Sequence, residues 1–163
     1  MARAKVDKKY FLTELVQSDM VKAPWNPDFT DKEGMRLIAM DDSIMKGAFY
    51  METAWFWPGK WPATKGPEGT VKEHTHPFDE AIAFIGVDPE KPYDLGGEVE
   101  LWIDGQQNIL KKSFIAFIPA GTKHCPLKIN KVDRPIFHFT SGMGSNYNLE
   151  IEKKAKKITK PKK

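Results

Sequence analysis

The residues best suited to chemistry lie in the stretch His74-Thr75-His76-Pro77-Phe78-Asp79-Glu80. In a β-strand alternate residues share a face, so His74 and His76 point the same way with their roots about 7 Å apart. Two imidazoles at that separation can converge on one ion, each nitrogen about 2 Å from it. A turn at Pro77 returns the chain and lets Glu80 come up beside the pair from the next strand. Two His and one carboxylate form a facial triad with open positions. Taken alone, the same pattern also describes a surface histidine pair with a Glu nearby. A second signal is Pro119-Ala120-Gly121-Thr122-Lys123-His124, a turn that delivers His124 to the start of a further strand. The chain has four His, and three of them fall within these two motifs.

Together the motifs resemble those of the cupins. That family's first motif has HxH, three or four residues, then Glu, then a Gly several residues on; His74, His76, Glu80 and Gly86 match it. Its second motif runs Pro-x-Gly-x-x-His, matched by Pro119, Gly121 and His124. The resemblance covers roughly residues 45–141. It implies a jelly-roll β-barrel holding one divalent transition metal on His74, His76, Glu80 and His124, with Fe or Zn ahead of Mn or Ni. The chain departs from the pattern in three places. The Gly expected before the first His sits one residue late, at Gly69. The spacer over about 87–112 is long and carries Asp88-Pro89-Glu90-Lys91-Pro92-Tyr93, a candidate rim loop. Where the family often has Asn four residues past the last His, this chain has Lys128. Alternation puts Lys128 on the face of His124, where it either reaches the barrel end or offers an ammonium to an anionic ligand.

Around these donors, His138 alternates with Phe137 and Phe139, sharing a face with Ile136 and Thr140. If that face is inward, His138 can move protons; a core His bonded to a backbone carbonyl is the competing reading. In Phe49-Tyr50-Met51-Glu52-Thr53-Ala54-Trp55-Phe56-Trp57, one alternate set lines the cavity and the other packs outward. Glu52, a carboxylate in so apolar a run, sits either at an exposed edge or in the pocket as a polar handle. Cys125 directly follows His124, so alternation points it to the opposite face as a small buried hydrophobe. Asp79 reads as a turn residue facing away from the metal.

The elements that must position these groups are short and separated by Gly- and Pro-bearing turns, which argues for an all-β sandwich or barrel. Strand candidates are Met35–Met40, Gly47–Trp57, Val71–His76, Glu80–Gly86, Glu98–Ile103, Ile109–Leu110, Phe114–Ile118, His124–Ile129 and Pro135–Thr140. Asp104-Gly105 is a good two-residue hairpin turn. Before them, Lys9–Val16 could make a short helix with Phe11, Leu12, Leu15 and Val16 on one side. The prolines of Ala23–Phe29 suggest an extended arm packed by Trp25 and Phe29. Trp61–Gly69 reads as a loop. The expected division is an arm at 1–34, a barrel at 35–145 and a Lys-rich tail at 146–163.

At 163 residues, with 40 % hydrophobic and 29 % charged, one globular domain fits. The net charge of +3 is misleading, because residues 150–163 hold seven Lys and two Glu, a net of +5, and leave −2 for the rest. Such a tail reads as solubilising. Without Arg or interleaved aromatics it does not argue for nucleic-acid binding. No run approaches the roughly 18 apolar residues of a membrane span. The start lacks the apolar region of a secretory signal, and the single Cys125 permits no intrachain disulfide. The expected location is therefore the cytoplasm. The expected function is a metal-dependent enzyme on a small oxygen-bearing metabolite, as a dioxygenase, decarboxylase, lyase or isomerase. The alternative is a non-catalytic metal-dependent binding or sensing module. No helix-turn-helix pattern supports a DNA-binding regulator. The aromatic strand near Phe49 and the Trp25 arm suit a homodimer.

Overall fold

Alternation decides the long aromatic strand. In β2 (Tyr50–Phe56), Tyr50, Glu52, Ala54 and Phe56 are buried, whereas Met51, Thr53 and Trp55 are only half-buried, so the first set faces inward. The same period builds β1 (Gly34–Met40), β3 (Glu80–Gly86), β4 (Asp94–Ile103), β5 (Gln106–Lys112), β6 (Phe114–Ile118), β7 (His124–Val132) and β8 (Ile136–Gly142). The computed structural model describes residues 9–16, 32–59 and 71–144. Among the described residues there is no helix, and so none long and apolar enough to cross a membrane.

The strands form two antiparallel sheets, one ordered β1-β2-β8-β3-β6 and the other β5-β4-β7. Val71 and His74 add bridges to Leu127 and His124 on the free side of β7. With that bridged segment as a fourth member of the small sheet, β2-β8-β3-β6 faces 71–74, β7, β4 and β5. This is jelly-roll connectivity, with β1 as an added edge. Asp104 and Gly105 join β4 to β5 with φ of 49° and 74°, as the tight primed hairpin turn requires.

Inward residues grade from polar to apolar along the barrel. Tyr50, Gly142, Glu80 and Ile118 form one rung across β2, β8, β3 and β6; Ala54, His138, Phe84 and Phe114 form another further in. The core lies at the second end, where Phe84, Leu95, Val99 and Ile136 are fully buried. Phe84 stacks between Phe56 at 5.8 Å and Phe114 at 5.5 Å. Gly86 closes that end, since a Cβ there would overlap the carbonyl oxygen of Asp94.

Three expectations change. Lys9–Val16 is not a helix: Lys9 and Tyr10 make a turn and the rest is irregular. An isolated helix so short is marginal in water, and Tyr10, Phe11 and Val16 stay exposed while Leu15 packs on Ala39 and Tyr50. The expected strand Val71–His76 shrinks to its two bridges. The expected connection up to Gly97 is partly strand, because β4 starts at Asp94 and Gly97 pairs with Val132. The small sheet can pair so closely there because a Cβ on Gly97 would collide with the Lys131 carbonyl. Trp25, Phe29, the Trp61–Gly69 loop and the 146–163 tail lie outside the described residues.

The packing of Phe84 yields a stability prediction. Phe84→Ala should cost about 3–5 kcal/mol, read as a lower denaturant midpoint with an unchanged slope.

Candidate metal centre

The donors are brought together by a turn and a latch. Thr122 N–H donates to the Pro119 carbonyl at 3.1 Å, and Gly121 sits at φ 80°. This is the pattern of a type II turn, whose third residue favours glycine. Gly121 N–H then donates to the His76 carbonyl at 2.8 Å. Ala120 N–H donates to the Asp79 carboxylate at 2.9 Å. Asp79 is thus the expected turn residue, with the added task of tying one motif to the other. His74 and His124 exchange backbone hydrogen bonds at 3.1 Å in both directions.

Each of the three imidazoles is oriented by its own backbone. Nδ1 of His74 donates to the Lys72 carbonyl at 2.8 Å, that of His76 to Phe78 at 2.6 Å and that of His124 to Thr122 at 3.0 Å. In the neutral ring these bonds place the hydrogen on Nδ1 and leave Nε2 as a bare lone pair. Nε2 of His76 and Nε2 of His124 each lie 3.1 Å from the same oxygen, Oε2 of Glu80. The other oxygen, Oε1, accepts from Thr140 Oγ1 at 2.9 Å. His76, Glu80 and His124 are buried.

Three acceptors facing one another need a positive charge among them. In the metal-free protein protons supply it. Burial by itself raises the Glu80 carboxyl, but hydrogen bonds and charge from His124 and His76 outweigh it and hold the group at about 2. Burial lowers His124, and the Glu80 hydrogen bond, the Thr122 backbone bond and the Glu80 charge together overcome that to leave it raised. His74 is lowered, chiefly by burial. A divalent ion answers the same need with better geometry: the ligand atoms of His76, Glu80 and His124 lie within 4.8 Å of one another. His74 stands on the far side of His124, their ring centroids 4.2 Å apart. The residues therefore fit a metal, with Thr140 and the three carbonyls as the outer partners that orient such ligands.

Beyond the donors, the two candidate proton carriers are both buried. Glu52 belongs to the inward set of β2, not to an exposed edge, and accepts from Arg36 Nε at 2.8 Å. His138 donates Nδ1–H to the Ala83 carbonyl at 2.8 Å and lies 4.3 Å from the Phe84 ring. Its pKa is lowered mainly by burial. It has the carbonyl bond of a core histidine and an inward position at once. Arg36 escaped the sequence reading, hidden in an apolar run; a lone cation in such a run was the available signal.

Two placements are corrected. Alternation would put Lys128 on the face of His124; instead Lys128 points outward and binds Glu100 at 3.0 Å. Cys125 was expected to turn away, yet its sulfur lies within 4.8 Å of the ligand atoms of His74 and His124. One cause serves both. The β4–β7 register shifts between Leu101 and Ile103, and Cys125 takes φ 70°, so alternation breaks one residue past His124.

The site makes two predictions. Thr140→Val should weaken metal binding by about 10- to 100-fold, measured by competition with a chromophoric chelator, whereas His76→Ala or His124→Ala should empty the site on metal analysis. In the chelator-treated protein, Glu80 contributes stability that is complete above its unfolded pKa of 4.5 and lost as pH falls toward about 2. His124 contributes stability complete below 6.5 and lost as pH rises. Melting temperature of that form should therefore peak between the two values, and Glu80→Gln should flatten the profile.

No family model matches the chain, and no curated protein matches it in sequence. Similar folds occur among solved structures. An uncharacterized conserved protein with a double-stranded beta-helix domain from Klebsiella pneumoniae subsp. pneumoniae is 17 % identical, over 74 % of this chain and 84 % of that one, with a TM-score of 0.41. An RmlC-like cupin from Shewanella frigidimarina is 17 % identical over 72 % and 82 %, with a TM-score of 0.40. A predicted oxalate decarboxylase from Thermotoga maritima is 14 % identical over 68 % and 77 %, with a TM-score of 0.42. The similar structures are thus cupins and double-stranded β-helix proteins, at low identity; the metal centre is assigned on its own geometry.

Proposed function

We propose that this protein is a metal-dependent enzyme acting on a small oxygen-bearing metabolite, of the dioxygenase, decarboxylase, lyase or isomerase type. His74, His76, Glu80 and His124 would hold one divalent transition ion, Fe or Zn ahead of Mn or Ni. Bound there, such an ion supplies Lewis-acid activation of a carbonyl or carboxylate oxygen and, as Fe(II), a site for dioxygen. The observation that carries the catalytic reading is the burial of Glu52 and His138 on the inner face that also carries Glu80 and Thr140. A barrel that merely bound a metal complex would have no need of two desolvated proton carriers.

The residues divide the work as follows. His138, its Nδ1–H committed to Ala83, keeps Nε2 free of hydrogen and able to accept a proton. The Arg36 guanidinium holds the Glu52 carboxylate in one orientation. Phe56 and Phe84 flank His138 and exclude water from that end of the cavity. We also propose that the protein works in the cytoplasm, in keeping with a free, buried Cys125, and as a homodimer. In support of the dimer, the outer side of the five-stranded sheet bears Trp55 against Phe137 at 5.1 Å, and Ile115 and Phe117 are 63 % and 66 % exposed.

Metal identified after anaerobic purification separates the reaction classes: oxygen-reactive iron points to oxygenation, zinc to lyase or isomerase chemistry. With the ion known, the loaded protein is assayed against small oxo-, hydroxy- and dicarboxylic acids, with and without dioxygen. Glu52→Gln or His138→Gln should lower kcat by about 10²- to 10⁴-fold at unchanged metal content. Ligand binding without turnover in the wild type would favour the binding or sensing module instead.

A further inference from the structure

Cys125 takes no part in the proposed reaction, and its position is unusual. The chain's sole cysteine is buried, and the broken alternation after His124 turns its sulfur toward the donors. Sγ and the ligand atoms of His74 and His124 lie within 4.8 Å of one another. In a tetrahedral site a thiolate at about 2.3 Å and an imidazole at about 2.1 Å from the ion stand about 3.6 Å apart, so shifts of about 1 Å would close this trio. Between the two possible trios stands His124, wholly buried, with its Nε2 3.1 Å from Oε2 of Glu80.

We propose that His74, His124 and Cys125 form a second, softer donor set, which takes a thiophilic divalent ion such as Cd²⁺ in place of the set centred on Glu80. The inference rests on the reading of His74 and His124 as metal ligands. Thiolate and imidazole suit soft and borderline ions, whereas carboxylate suits hard ones such as Mn²⁺. His124, and with it His74 in the proposed four-ligand site, is common to both sets, so one ion excludes the other. On binding, a metal–sulfur bond replaces the S–H bond and the thiol proton leaves to solvent. Discrimination between ions would then lie in whether Glu80 or Cys125 completes the shell.

The test uses the full-length, reduced protein after chelator treatment. It is titrated with Cd²⁺, followed by thiolate-to-metal charge-transfer absorption in the ultraviolet, and separately with Mn²⁺, followed by electron paramagnetic resonance. Any thiolate band reports Cys125, since no other thiol exists in the chain. One equivalent of Cd²⁺ should develop the band. Cys125→Ser should abolish it and weaken Cd²⁺ by at least about tenfold, leaving Mn²⁺ affinity within about threefold. Glu80→Gln should do the reverse, keeping the band and weakening Mn²⁺ by at least about tenfold. Cd²⁺ bound to the wild type without a thiolate band overturns the proposal and leaves the proposed function standing. Mn²⁺ failing to bind while the Cd²⁺ band appears upholds the soft site and removes Mn²⁺ from the ions of the proposed function. Should Cys125→Ser not fold, the wild-type band and its persistence in Glu80→Gln decide the matter.

Discussion

Two imidazole nitrogens aim at one carboxylate oxygen, each from 3.1 Å. The rest of the inner structure answers to that constraint. Lone pairs so close repel unless a proton or a metal ion lies among them, and burial removes the water that would otherwise screen them. The protein fixes the arrangement from outside the donors, by three backbone carbonyls on the three Nδ1 atoms and by Thr140 on Glu80. None of these supports is itself a donor to the ion, yet together they leave the imidazoles little freedom to turn away.

The fold supplies that rigidity by placing donors where strands begin. Glu80 opens β3 and His124 opens β7, in different sheets, while His74 and His76 lie on the segment that runs between the sheets. The type II turn before His124 and the Asp79 carboxylate hold the two motifs in register. At the other end, Phe84 and its aromatic neighbours form a dry plug. Glu52 occupies the level between plug and metal donors, beside Thr140, whereas His138 stands on the rung of Phe84 itself.

Much of this was legible in the residues. HxH at strand spacing, a carboxylate after a proline turn, and Pro-x-Gly before a third His each encode local geometry, and local geometry survives folding. Asp104-Gly105 was readable for the same reason. What escaped was mostly non-local. The bulge after His124 arises from pairing between β7 and β4, and its local signal, Pro126 within the strand, went unread; Lys128 and Cys125 were misplaced together as a result. The short helix at Lys9–Val16 failed because periodicity over eight residues offers too little burial to hold a helix. Arg36 went unnoticed because its partner Glu52 lies sixteen residues away, across a strand pair.

The central claim is that His76, Glu80 and His124 converge to bind a cation. Crystals of the protein purified without chelator, measured across the absorption edge of the metal it carries, test it most directly. The account predicts a single anomalous peak within bonding distance of Nε2 of His76, Nε2 of His124 and a carboxylate oxygen of Glu80. Ordered density for those three side chains with no peak between them, even after soaking with a divalent transition ion, would contradict it.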